Sequence, residues 1–270
     1  MRAAVMALVK STGIVLRTYT LGETSKVVVC YTRDHGKVRL VAKGARKGGG
    51  RFGAALEPFA VSGVVFYLRP GRGLSLVSDA DIERDFPPIR RDVVRQSYAG
   101  AVVELVDLLV AEQSADPALF DLVGSTLESL ASAPHVNLDS VLWRFELRLA
   151  SALGYAPELE SCVACGRPAG EGASFSPELG GIVCGRCGTD AGGSSVGGKA
   201  VDVLRRLVGT EEGVADLDDV GRDEIGGVLT EFLATHAGRP IKLKSMRFLA
   251  QVRRLERSRG EPGPDDEQAT

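Results

Sequence analysis

The chain has 270 residues, 44% of them hydrophobic and 25% charged, which allows two compact domains with a buried core and excludes a disordered or fibrous polypeptide. The opening MRAAVMALVKSTG loses its apolar run at Lys10, too soon for a signal peptide, and no later run would span a bilayer, so a cytoplasmic protein without a membrane segment is expected. A net charge of −2 hides a split: residues 1–78 hold 13 Lys and Arg against three Asp and Glu, whereas the rest hold 20 against 32. Such a front end suits a polyanion, nucleic acid being the usual one, although a basic solvated surface would look the same.

GIVLRTYTLG and ETSKVVVCYT are rich in β-branched residues, and Asp34-His35-Gly36 reads as a hairpin turn before KVRLVAKG. The glycine-dense, basic stretch 44–53 is a loop. PFAVSGVVFYLR and LSLVSDADI follow, joined by a turn at Pro70-Gly71-Arg72-Gly73. Five short strands with short connections suit a small closed barrel of the OB kind. After Pro87-Pro88 the apolar period changes to three and four, with Val94, Tyr98, Val102, Leu105 and Leu109 on one stripe. Further helices are expected over PALFDLVGSTLESLA and Leu138–Leu153, with Asp139 as N-cap and Gly154 as the stop, then over 199–208, 222–236 and 243–257. The fold class is therefore α+β and multidomain. An OB barrel spans 1–82, a helical domain with a metal-binding insert at 160–190 spans 83–260, and a disordered acidic tail occupies 261–270.

Cys162-Val-Ala-Cys165 and Cys184-Gly-Arg-Cys187 are separated by eighteen residues. Each C-x-x-C turn supplies one edge of a tetrahedron, so the four thiolates suit a zinc ribbon with no open position for water, and the zinc would be structural. Gly166 and Gly188 follow the second cysteine of each pair, where positive φ would ease a tight knuckle. A redox pair or two disulfides are the competing readings; the βαβ setting of a thioredoxin-like motif is missing. Cys30, among valines, reads as a small core residue.

Several stretches together resemble one family. LGETSKVVVCYTRDHGKVRLVAKGARK followed by ALEPF is similar to the barrel of the RecO family; RFELRLASALGYAPELESC, the two Cys-x-x-Cys turns around FSPELGGIVC, and LKSMRFL resemble its later segments in the family's order. The resemblance implies a DNA repair and recombination mediator. Such a protein binds single- and double-stranded DNA, anneals complementary strands, associates with RecR, and helps load RecA on DNA coated by single-strand-binding protein. The loop GGGRFG departs from the family pattern.

On the third strand Lys37, Arg39 and Lys43 are an even number of residues apart and share a face, while Val38, Leu40 and Ala42 take the other. The loop adds Arg46, Lys47 and Arg51, and Lys26 and Arg33 extend the patch, giving a DNA-binding face directed at phosphates rather than bases. Tyr19, Tyr31 and Phe52 are candidates for base stacking, Phe52 the best placed. A second basic cluster, 239–259, holds eight Lys and Arg against one Glu and could meet DNA, meet the acidic tail of single-strand-binding protein, or be a solvated helix face.

No enzyme is expected. Residues 193–200 nearly spell a phosphate-binding loop, but Ala200 lacks the hydroxyl for Mg²⁺ and no hydrophobic strand precedes them. His35, His135 and His236 lie far apart, and no carboxylate cluster can be assembled for a metal-dependent nuclease. A zinc-ribbon, OB-fold interaction module acting on RNA or protein is the alternative function.

Overall fold

The computed structural model describes residues 7–46, 52–69, 73–170, 172–188, 198–209 and 219–260, with backbone alone at 198, 219 and 256–260. Of the residues singled out above, Lys47, Arg51, most of the 193–200 segment and the 261–270 tail lie outside that description.

Five strands, β1 (Ala7–Leu21), β2 (Ser25–Thr32), β3 (Gly36–Ala42), β4 (Val61–Leu68) and β5 (Ser75–Arg84), close into a barrel in the order β1-β2-β3-β5-β4. All pairings are antiparallel except the short β3–β5 closure at Leu40 and Val41. This is the OB-type barrel expected. Alternation divides its side chains. Val15, Val28, Cys30, Val38, Leu40, Val64 and Phe66 fill the interior with Leu56, whereas Ile14, Leu16, Val29, Tyr31 and Val61 face outward into the core of the helices. A bulge between Val15 and Arg17 bends β1 across this junction. Because β2 is covered on both faces, its sequence VVVCY is an unbroken apolar run.

Gly36 shows why the hairpin needs glycine: its φ is +65°, and a Cβ there would stand 2.4 Å from the Ser114 backbone, which crosses the start of β3.

The helical part begins with a short turn of helix, α1 (Pro87–Arg91), followed by α2 (Val93–Leu109), α3 (Pro117–Ser132) and α4 (Leu138–Ala152). Asp92 caps α2 by accepting from the Val94 and Arg95 N–H groups, and Asp116 caps α3 from Ala118 and Leu119. At α4 the expected cap is displaced. Asn137 precedes the helix without a side-chain bond, and Asp139 is the second residue of its first turn, where it accepts from Tyr98 and Arg222 instead. Gly154 ends α4 at φ +91°, with its N–H on Ser151 and that of Tyr155 on Ala150, a Schellman closure. Strands β6 (Ser174–Ser176) and β7 (Gly181–Val183) form a hairpin before α5 (Gly198–Gly209), α6 (Asp219–His236) and α7 (Lys244–Gly260). Phe175 and Ile182 of the hairpin join Phe232 and Phe145 in the core that also receives the outer face of the barrel.

Candidate nucleic-acid interface and metal centre

The alternation expected on β3 holds: Val38, Leu40 and Ala42 are buried, while Lys37, Arg39 and Lys43 take the opposite side. That side is not one open wall. The start of β3 is covered by the segment after α2, whose Gln113 N–H bonds to the Lys37 carbonyl at 3.0 Å. Lys37 is only 6% exposed, with its ammonium on the Asp107 carbonyl at 2.5 Å and 3.7 Å from the Asp107 carboxylate. Burial lowers its pKa, and the Asp107 and Glu112 carboxylates partly restore it. Arg39 pairs with Glu112 at 2.7 Å. Arg33 holds both Asp121 oxygens and lies over the Phe120 ring, and its hydrogen bond keeps the Asp121 carboxyl below its ordinary range. Lys37, Arg39 and Arg33, expected to turn cations toward phosphates, are each paired with a carboxylate here. Their charges join the barrel to α2, α3 and the segment between them.

The other end of the strands differs. Lys43 is exposed and has no hydrogen bond or ion pair among the described residues. Arg46 donates to the Gly22 and Glu23 carbonyls at 3.0 and 3.1 Å, which anchors its side chain without cancelling its charge. Lys26 lies nearby but bonds Glu57 at 2.7 Å and the Leu56 carbonyl at 3.1 Å, so little of its charge is available. Lys43 and Arg46 thus mark a cationic loop end, and the chain runs from them directly into Lys47 and Arg51. Among the aromatics, Phe52 is buried within the barrel and Tyr31 within the shared core, which removes both as stacking platforms. Tyr19 is 41% exposed, with the Arg17 guanidinium 5.4 Å from its ring centre.

Sequence reasoning missed Asp107, Glu112 and Asp121, the carboxylates that neutralise the barrel. The only signal for them was the acidic excess of the later residues, which says nothing about which cation each would meet.

The four cysteines converge as their spacing requires. The sulfurs of Cys162, Cys165, Cys184 and Cys187 all lie within 4.8 Å of one another, and Cys165 and Cys184 are 3.9 Å apart. Four thiolates at about 2.3 Å from a tetrahedral Zn²⁺ would be about 3.8 Å apart, so the set fits such an ion. Both knuckles are tight: Gly166 N–H donates to Cys162 at 2.8 Å, and Gly188 N–H to Cys184 at 2.9 Å. Gly166 takes φ +71°, as expected, but Gly188 does not adopt positive φ; its turn closes through two N–H groups, those of Cys187 and Gly188, on the Cys184 carbonyl. Backbone donors, first that of Cys184, draw the Cys162 thiol down to about 6. The Cys187 thiol is pushed up to about 12, first by the Cys184 sulfur and then by Cys165. Ionising all four thus needs a cation among them. Cys30 is wholly buried in the barrel, where desolvation pushes its thiol up to about 12.

The ribbon is fastened to the helices. Glu158 accepts from the Glu160 and Ser161 N–H groups at 2.8 Å each, and its backbone pairs with Gly180 and Ile182. Arg205 of α5 donates to the Leu159 and Ala169 carbonyls.

Among the described residues, no helix is long and apolar enough to cross a membrane. Two family models match the chain, "Recombination protein O N terminal" over residues 6–86 and "Recombination protein O C terminal" over 90–246. Several proteins named DNA repair protein RecO are similar along nearly their whole length. The one from Symbiobacterium thermophilum is 35% identical, covering 92% of this chain and 99% of its own. The one from Geobacter metallireducens is 37% identical, covering 90% and 97%. That of Bacillus pumilus is 31% identical, covering 94% and 98%.

Proposed function

The chain belongs to the RecO family, and from that premise we propose a DNA repair role exercised by binding DNA and partner proteins, without a catalytic site of its own. The observation that carries the DNA-binding part is the cationic loop end of the barrel, where Lys43 and Arg46 keep their charge beside the loop that continues into Lys47 and Arg51. Cations on a loop can follow a sugar-phosphate chain without reading bases, so single- and double-stranded DNA both bind with little sequence preference and strong salt dependence. Two complementary strands held with part of their charge neutralised, and their bases unread, are free to pair. Annealing follows from that. In the same reading the protein associates with RecR and single-strand-binding protein, and helps place RecA on coated DNA. The four cysteines hold a structural Zn²⁺, which ties the ribbon's two knuckles together and does no chemistry on DNA.

The test is annealing of complementary oligonucleotides without ATP. The intact chain accelerates it, and Lys43→Glu with Arg46→Glu abolishes most of the acceleration while thermal unfolding is unchanged. A parent chain that neither binds oligonucleotides nor speeds pairing in dilute buffer would overturn the reading.

A further inference from the structure

We propose that α7 is a second nucleic-acid surface, a basic helix face with Phe248 as a stacking platform; this rests on the DNA-binding reading above. From Arg239 to Leu255 the sequence has six Lys and Arg and no Asp or Glu. Lys242, Lys244 and Arg247 are exposed and have no salt bridge among the described residues, and Arg239 donates to a neutral acceptor, the Leu108 carbonyl, at 2.9 Å. Their charge is kept, in contrast to the cations of β2 and β3.

The helix is held rigidly at its start. Glu104 of α2 accepts from the Lys244 and Ser245 N–H groups at 2.7 and 3.2 Å, and Gly100 lets α7 approach so closely that a Cβ there would stand 2.7 Å from the Ser245 side chain. Leu249 is buried against the body, but from Ala250 to Leu255 every side chain is exposed or half-exposed. Phe248 is 49% exposed and Leu255 63% exposed, one heptad apart and so on one face, with Lys244 on the same stripe and Arg247 at its edge. An exposed ring beside cations offers a stacking face next to phosphate partners, and a base laid on it beside bound phosphates is the ligand this arrangement suits. An acidic protein segment is the other class that could meet such charge, but the lone aromatic within an acid-free run favours single-stranded nucleic acid.

The experiment uses the full chain and labelled oligo-dT over a range of salt. Lys244→Glu with Arg247→Glu should weaken binding at least about tenfold and reduce the slope of log affinity against log salt by about 1.4, since each single-strand phosphate contact contributes about 0.7. Phe248→Ala should weaken binding roughly tenfold with the slope unchanged, because stacking releases no counterions. If both variants bind as the parent does while Lys43→Glu with Arg46→Glu weakens binding, α7 is not a nucleic-acid surface and the barrel reading stands. A Phe248→Ala effect confined to an added Glu-rich amphipathic peptide would likewise overturn the proposal in favour of a protein partner. Failure of the barrel variant to weaken binding would count against the barrel reading alone.

Discussion

On the barrel, Arg17, Arg33, Lys37 and Arg39 each face a carboxylate of the helical part, whereas Lys242, Lys244 and Arg247 make no salt bridge among the described residues. The two regions are both rich in Lys and Arg, yet in one the charge is spent on joining domains and in the other it stays in solvent. Surplus charge in a sequence therefore locates a basic element but not a basic surface. The regions differ in their cores as well. The barrel closes over its own interior, while the helices share a core with the barrel's outer face and with the cysteine ribbon.

That second difference carries the largest expected effect. Cys184→Ser, or chelation of a bound metal, should destabilise the helical part by roughly 3 kcal/mol or more, because the two knuckles lose the cation that would tie them together and Phe175 and Ile182 lose their anchorage. Limited proteolysis should then cut first within 160–188 and leave the barrel strands resistant. Equal loss in both regions would break the comparison.

Glu146 sharpens it further. This α4 carboxyl is 3% exposed, one of its oxygens has no partner, and burial, helped by Asp139, pushes its pKa up to about 8. The folded state keeps a proton that the unfolded chain releases near its ordinary pKa of 4.5. Stability should therefore fall as pH rises from about 4.5 towards 8, by at most about 1.4 kcal/mol per pH unit from this group. Glu146→Gln should flatten that decline and raise stability at pH 8, as read from urea midpoints at several pH values.

A smaller cost is expected for Lys37→Met. Asp107 keeps its bond with Arg17, so the loss should be about 1–2 kcal/mol of stability, seen in denaturant titration, with oligonucleotide binding unaltered. Arg33→Ala should shift the melting temperature least, because its pair with Asp121 is solvent-exposed.

Much of the fold was legible because its signals are local. The β3 alternation, the change of period after Pro87-Pro88, the glycine closing α4 and the paired C-x-x-C turns each depend on neighbours within a few residues. What could not be read depends on distant partners. Lys37 meets Asp107 seventy residues later, and Asp139 is drawn from a cap into a network with Tyr98 and Arg222. Phe52 follows a glycine-rich loop and looks exposed in sequence, but a short helical turn at Gly53–Leu56 folds it into the barrel. The same limit applies to α7, whose basic run was plain but whose lack of salt bridges at Lys244 and Arg247 among the described residues was not.

The most direct measurement compares the salt dependence of oligo-dT binding for two double variants of the full chain. Lys43→Glu with Arg46→Glu should lower the slope by about 1.4, and Lys37→Met with Arg39→Gln should leave it at the parent value. A loss of slope at Lys37 and Arg39, with none at Lys43 and Arg46, would contradict the division of the barrel's charge into a joining half and a binding half.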